Sequence, residues 1–230
     1  MSINDNSLIQ KDFRPISGWN LLFFVAWTLV AGFAAILLMR SFLEKGRGQL
    51  LAMGVLYVIG LLGVVLVMAP RGRQALPALA LRGAQWWKVV LGVVGTFLLS
   101  LAVTQVGPEL QGMKDVERIV QLPNALVPSL LFLGVLAPLV EELAFRGLLY
   151  GWIEGRWGWR PAFWVSSLAF AVAHYQWGAE GWARLAYAMA VLPLGLLFGW
   201  LRRWSNSLLP SFMAHMVNNS IAVFAAAFAS

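Results

Sequence analysis

Residues 136–150 constrain the fold most strongly, because they place three ionisable side chains inside an otherwise apolar run. The stretch reads LAPLVEELAFRGLLY and contains Glu141, Glu142 and Arg146. On insertion scales a charge at the centre of a bilayer costs about 2.5 to 3.5 kcal/mol, so three charges this close together require partners. We therefore expect the rest of the chain to supply those partners around a functional site.

The composition indicates a membrane protein. Hydrophobic residues make up 60% of the 230 residues, charged residues 12%, and the mean hydropathy is +0.74. Soluble domains carry roughly 25% charged residues, and a membrane span needs about 20 residues, so the length leaves room for about six to eight spans. We predict an all-α polytopic membrane protein, a bundle of about seven transmembrane helices with a polar intramembrane cavity, in a single domain over residues 1–230.

Seven apolar segments are predicted to be spans, of which the fifth is short for a full crossing. They cover residues 19–39, 50–68, 89–106, 125–153, 162–175, 185–201 and 208–228. Residues 74–88 have the pattern of an amphipathic helix lying at the headgroups. Pro138 in the fourth span is expected to kink the helix and to free the carbonyl of Gly134.

The charge distribution predicts the orientation and the partners. The formal net charge is +7, but Lys and Arg residues lie in segments that flank the spans, where they suit an anionic bilayer surface better than a nucleic acid. On alternate sides of the predicted spans there are ten Lys and Arg residues against six. We predict a multi-pass protein of a prokaryotic inner (cell) membrane with a cytoplasmic N-terminus, in contact with the lipid bilayer and not with nucleic acid.

Helical geometry divides the three charges of residues 136–150 into two groups. Glu142 and Arg146 are four residues apart and share a helix face, whereas Glu141 points about 100° away. The pair is therefore expected to be structural, and Glu141 to be available for chemistry. The only two histidines, His174 and His215, also lie in predicted spans.

Several reaction classes are excluded and one is favoured. The chain has no Cys and no HExxH motif, and its three Asp residues lie outside the spans, which argues against thiol, helical zinc and paired-Asp proteases. A Ser-His dyad using Ser166, Ser167 or Ser220 stays possible, although no nucleophile-elbow sequence surrounds them. A carboxylate and a histidine acting as general base, with the i, i+4 pair His215 and Asn219 stabilising an oxyanion, predict a hydrolase without a cofactor.

Lone polar residues in membrane helices often only hydrogen-bond a neighbouring helix, so each of these residues also has a structural interpretation. Phe170, four residues before His174, is most simply a packing side chain. Gly195 and Gly199 have the spacing of small residues at a helix contact. The joint pattern of carboxylates, both histidines and an amide favours a site over structure alone.

Three motifs, in order on three apolar segments, resemble those of the CAAX protease and bacteriocin-processing (Abi) family of intramembrane endopeptidases. They are EExxxR, FxxxH and HxxxN, which begin at Glu141, Phe170 and His215. The family motifs fall within residues 125–228, and the first three spans match only in hydrophobic character. The best-known architecture of the family has eight spans, against the seven predicted here.

The resemblance implies a glutamate-type intramembrane protease. It assigns water activation to Glu141 and His174, the oxyanion to His215 and Asn219, and positioning of the first glutamate to Glu142 and Arg146. Implied substrates are membrane peptides or lipidated proteins, including prenylated C-terminal CAAX-type peptides. Three alternatives stay open: zinc bound by Glu141, His174 and His215; a non-catalytic membrane scaffold or bacteriocin-immunity protein; and a proton-coupled transporter.

Overall fold

The computed structural model describes residues 16–38, 46–106, 118–175 and 181–228. The polar N-terminal segment, the basic loop after the first span and most of the mixed-charge loop at residues 108–123 lie outside these ranges. Within them, every regular element is helical. The predicted all-α membrane fold is therefore confirmed.

In the part of the chain that the structure describes, seven helices of fifteen or more residues correspond one for one to the seven predicted segments. Six of them are long and apolar enough to cross a membrane, which identifies an integral, multi-pass protein. The exception is the fifth, whose fifteen residues extend only about 22 Å against a hydrocarbon core of about 30 Å. The helices are α1 (Gly18–Leu38), α2 (Gly46–Met68), α3 (Trp86–Val106), α4 (Leu126–Trp157), α5 (Trp159–Ala173), α6 (Ala183–Ser205) and α7 (Leu209–Phe228).

The amphipathic helix predicted for residues 74–88 is wrong. A 3-10 segment, Ala69–Gln74, and one helical turn, Ala75–Ala78, are followed by Ala80 with a left-handed φ of 54°. Leu79 and Ala80 are buried, and the Ala80 carbonyl accepts the backbone N–H of Leu208 at 2.9 Å. Two prolines and a glycine in this stretch prevent a long helix, and the chain folds back into one end of the bundle.

Helix α4 is irregular at the positions where the charges lie. The α-helical turn Ala137–Glu142 is flanked by two π-helical segments, Leu130–Leu136 and Leu143–Leu149. In the first of these, the N–H of Ala137 bonds to the carbonyl of Phe132, five residues back. Pro138 has no N–H to continue that pattern, so the Leu133 carbonyl is left without a donor from its own helix.

Close helix contacts occur at small residues. A Cβ added to Gly134 would lie 2.8 Å from Oγ of Ser220 on α7. One added to Gly199 on α6 would lie 2.8 Å from Oγ of Ser167 on α5, and one added to Gly195 would lie 3.1 Å from the carbonyl oxygen of Ser167. The packing role predicted for Gly195 and Gly199 is therefore confirmed.

Contacts between helix ends gather the basic segments at one end of the bundle. Arg71 donates to Asn20 Oδ1 at 2.7 Å, Arg156 donates to the carbonyl of Ile16 at 3.0 Å, and Lys88 donates to that of Trp204 at 3.2 Å. The start of α1, the end of α2, the start of α3 and the ends of α4 and α6 therefore share one surface. We take this basic end as the cytoplasmic one.

The orientation predicts the behaviour of truncated reporter fusions in a bacterial host. Green fluorescent protein fused after Ser205, at the basic end, should fluoresce, and alkaline phosphatase fused after Phe228 should be active. Alkaline phosphatase after Ser205 and the fluorescent protein after Phe228 are the matched controls and should both be silent. The reverse pattern would contradict the orientation.

Candidate active site

A buried ion pair forms the base of the site. Arg146 Nη1 lies 3.1 Å from Glu142 Oε1, and both side chains are fully buried. Nη2 of the same guanidinium donates to the carbonyl of Gly195 on α6 at 2.9 Å, and its Cζ lies 4.2 Å from the ring centroid of Phe170 on α5. The predicted i, i+4 pair is therefore present, and it connects α4 to two neighbouring helices.

His215 on α7 lies between the two carboxylates. Its Nδ1 is 3.3 Å from Glu142 Oε1, and its Nε2 is 3.7 Å from Glu141 Oε2. The ring stacks on Phe198 with centroids 4.7 Å apart. A carboxylate can only accept, so Nδ1 carries a proton and donates to Glu142.

His174 marks the end of α5. Its backbone N–H bonds to the carbonyl of Ala171, three residues back. The Phe170 carbonyl, four residues back, is therefore free to accept from the His174 ring, and Nδ1 lies 2.8 Å from it. Nδ1 must donate to that carbonyl, so the lone pair of Nε2 is free. The FxxxH spacing therefore fixes the tautomer as well as the packing.

The two imidazoles converge on one oxygen of Glu141. Oε2 lies 3.9 Å from Nε2 of His174 and 3.7 Å from Nε2 of His215. This oxygen is buried without a hydrogen-bond partner among the described residues. The two glutamates and Arg146 together leave one net negative charge, which a proton on either imidazole would neutralise. The site can therefore take up one proton without adding net charge to the bilayer interior.

Asn219 lies one helical turn from His215, and its amide is already partly committed. Nδ2 donates to the carbonyl of Leu133 at 3.2 Å, the acceptor left over by Pro138. An amide nitrogen has two hydrogens, so one remains for another acceptor. The side chain is held between α7 and the irregular part of α4.

Asn218, the neighbour of Asn219 in the sequence, is linked to this amide. Its Oδ1 accepts from Ser100 Oγ on α3 at 2.5 Å, and its Nδ2 lies 3.5 Å from Asn219 Oδ1. Both side chains, with Tyr187, line a mainly apolar cavity of about 290 Å³ between α3, α6 and α7. In the sequence, the two adjacent asparagines were a signal of this network. No pattern in α3 distinguishes Ser100 from the other residues of that helix.

Two tyrosines near Glu141 were also missed. Tyr57 on α2 and Tyr187 on α6 both lie close enough to Glu141 to interact with it electrostatically. Tyr57 lies well inside its span rather than at an interface, where tyrosine is most common, and that position was its signal in the sequence. Tyr187 lies near the start of α6 and had no such signal.

The other chemistries considered from the sequence find little support in the geometry. Ser167 donates to the Gly195 carbonyl at 3.0 Å, and Ser166 lies 3.4 Å from that of Phe163, so these hydroxyls bond to backbone. Among the described residues no three His, Asp or Glu side chains are grouped so that they could hold a metal ion.

Comparison with known proteins finds a similarity over the segment that contains these residues. Residues 123–221 match the family model described as type II CAAX prenyl endopeptidase Rce1-like. The resemblance seen in the three motifs is thus confirmed. The Rce1-like segment includes Glu141, His174, His215 and Asn219, whereas α1, α2 and α3 lie outside it.

A curated relative matches part of the chain. The UPF0177 protein YxdF of Lactococcus lactis subsp. lactis (strain IL1403) is 30% identical over 106 residues, which cover 45% of this chain and 51% of that protein. The chain therefore spans about half the length of this relative. No solved structure gives a significant match. The Rce1-like match covers less than half of the chain and coincides with the segment that carries the three motifs.

Breaking the ion pair should destabilise the protein. Arg146→Met leaves the Glu142 charge buried without its partner, so the free energy of unfolding in detergent should fall by about 3 to 5 kcal/mol. The double variant Glu142→Gln/Arg146→Met removes both charges and should recover part of this loss. Thermal unfolding of the purified variants measures both effects.

Arg160→Met on α5 removes an exposed guanidinium and is the matched control, which should change stability by less than about 0.5 kcal/mol. If Arg146→Met is as stable as Arg160→Met, the ion pair is not the structural base of the site.

Proposed function

We propose that the protein is an intramembrane endopeptidase that hydrolyses a peptide bond near the C-terminus of a membrane-associated, CAAX-type peptide. The observation that carries the proposal is the convergence of both histidine Nε2 atoms on one buried oxygen of Glu141. The Rce1-like segment supports the substrate class. Recognition of a prenyl group on the substrate is part of the proposal.

Glu141 and His174 are proposed to activate water. Their closest atoms are 3.9 Å apart, which is too long for a direct hydrogen bond and suits two groups that share one water molecule. One proton of this water passes to the base as its oxygen bonds to the scissile carbonyl carbon. When the tetrahedral intermediate collapses, the C–N bond breaks and that proton moves to the leaving amine.

His215 and Asn219 are proposed to stabilise the oxyanion of that intermediate. His215 Nδ1 already donates to Glu142, so donation from Nε2 requires the doubly protonated ring, with Glu142 as counter-ion. Asn219 contributes its second amide N–H, because the first donates to the Leu133 carbonyl. Glu142, Arg146 and Phe170 have supporting roles, because they hold His215 and the His174 helix in place.

The reaction as proposed uses no metal ion. The water is activated by a carboxylate and an imidazole, and the donor set at Glu141 does not form a metal-binding group. Glutamate-type chemistry therefore predicts that chelators leave the activity unchanged. A loss of activity with chelator, restored by zinc, would move the proposal to metal catalysis.

Loss of either half of the base should abolish cleavage. In proteoliposomes, Glu141→Gln and His174→Ala should each lower the rate of cleavage of a fluorogenic prenylated CAAX peptide by about 10²-fold to 10⁴-fold. A general base contributes a rate enhancement of this size. Mass spectrometry of the products gives the cleaved bond, and the unprenylated peptide tests lipid recognition.

Glu154→Gln is the matched control, since it removes a carboxylate from the same helix outside the site. It should keep wild-type-like activity. Activity retained by Glu141→Gln would contradict the proposal. Peptide binding without turnover by the wild type would instead support the non-catalytic scaffold.

A further inference from the structure

A network of hydrogen bonds runs from α3 through two adjacent side chains of α7 to α4. Ser100 Oγ on α3 donates to Asn218 Oδ1 at 2.5 Å, and Asn218 Nδ2 donates to Asn219 Oδ1 over 3.5 Å. Asn219 Nδ2 in turn donates to the Leu133 carbonyl on α4 at 3.2 Å. Asn219, the residue proposed to stabilise the oxyanion, is therefore bonded at both ends of its amide.

The Leu133 carbonyl sets the direction of every bond in this network. A carbonyl can only accept, so the Asn219 atom that faces it is Nδ2, and Oδ1 of the same amide faces Asn218. That oxygen can also only accept, so Asn218 presents its Nδ2 to Asn219 and its own Oδ1 to the Ser100 hydroxyl. Reversing either amide would place two donors or two acceptors opposite each other.

The acceptor that anchors the network is a product of the irregular backbone of α4. Pro138 has no N–H, and the π-helical pattern before it leaves the Leu133 carbonyl without a donor from its own helix. A Cβ added to the adjacent Gly134 would lie 2.8 Å from Oγ of Ser220, so α7 passes close to α4 at this level. A backbone acceptor inside the bilayer requires a donor, and Asn219 supplies it.

The surroundings of the network strengthen it. Ser100, Asn218 and Asn219 are half-buried, and with Tyr187 they line the mainly apolar cavity of about 290 Å³ between α3, α6 and α7. In a medium of low polarity a hydrogen bond is stronger than in water, and an unmade one is costly. The cavity therefore favours the single orientation of the Asn219 amide that satisfies all three side chains.

We propose that Ser100 and Asn218 are positioning residues for the reaction, which hold the Asn219 amide so that its second N–H stays available to the oxyanion. The inference rests on the proposed function, because it assigns both residues a part in the same oxyanion site. It also gives α3, which lies outside the Rce1-like segment, a contribution to that site.

The variant Ser100→Ala removes the hydroxyl at the α3 end of the network. We expect kcat for the prenylated CAAX peptide to fall by about threefold to tenfold with KM unchanged, because a neutral hydrogen bond that orients the oxyanion donor is lost. Asn218→Leu removes the middle of the network and should lower kcat at least as far.

Thr96→Val is the matched control for Ser100→Ala. It removes a buried hydroxyl one turn earlier on α3, and that hydroxyl has no hydrogen-bond partner in the part of the chain that the structure describes. Its kcat should stay within about twofold of the wild type, because no hydrogen bond is lost.

A double variant tests whether the Ser100 hydroxyl acts through Asn219. Asn219→Ala alone should lower kcat by about 10²-fold to 10³-fold, which is the usual effect of removing an oxyanion donor. In that background Ser100→Ala should change kcat by less than about twofold, because the residue that it positions is gone. An equal fall in both backgrounds would overturn the positioning role.

NMR of protein labelled with [¹⁵N]asparagine gives a readout that does not need turnover. The pair of side-chain amide resonances that is lost in Asn219→Ala belongs to Asn219, and its chemical shifts depend on the hydrogen bonds of that amide. This pair should move in Ser100→Ala and in Asn218→Leu, and it should stay in place in Thr96→Val. A pair that does not move in Ser100→Ala would overturn the positioning role, whether or not the protein cleaves peptides.

The kinetic and NMR results separate the two proposals. Activity retained by Glu141→Gln would end the proposed function, and the Asn219 resonances would still decide whether Ser100 orients that amide. If Glu141→Gln is inactive and Ser100→Ala has the kcat and the amide resonances of the wild type, the proposed function stands and the positioning role falls.

Discussion

The ion pair between Glu142 and Arg146 is the interaction on which the rest of the site depends. Both side chains are fully buried in a bilayer-spanning bundle, where an unpaired charge is most costly. Arg146 reaches the Gly195 carbonyl on α6, and Glu142 reaches His215 on α7. Satisfying these two charges therefore sets the relative positions of α4, α6 and α7.

Once Glu142 is committed to the pair, its neighbour Glu141 is left for chemistry. The two carboxylates are adjacent in sequence but point about 100° apart, so one faces the ion pair and the other faces the two Nε2 atoms. The π-helical segments on either side of Ala137–Glu142 leave backbone groups free at the depth of the site. One of them, the Leu133 carbonyl, positions Asn219.

The parts of the fold that follow from local rules could be predicted from the sequence. Span positions follow from apolar length, and the Glu142 pair with Arg146 follows from the i, i+4 spacing. The segment at residues 69–85 could not be predicted in the same way, because its alternating apolar and basic residues suited a surface helix while Leu79 and Ala80 are buried in the bundle. The free Leu133 carbonyl was not predicted, because the π-helical pattern shifts the hydrogen bond from i−4 to i−5.

Contacts made by residues far apart in sequence were the least predictable. Tyr57 and Ser100 reach the site only because α2 and α3 pack against the other helices, and neither belongs to a recognisable motif. The roles of Glu141, His174, His215 and Asn219 stay predictions that follow from their spacing, their convergence and the Rce1-like match.

The central claim is that Glu141 and His174 direct water itself onto the peptide carbonyl. The most direct measurement is a single turnover with excess enzyme in H₂¹⁸O, followed by mass spectrometry of the new C-terminal carboxylate. Direct attack by water predicts one ¹⁸O atom in every first-turnover product. A first-turnover product without ¹⁸O, which would have taken its oxygen from a side chain of the enzyme, would contradict the account.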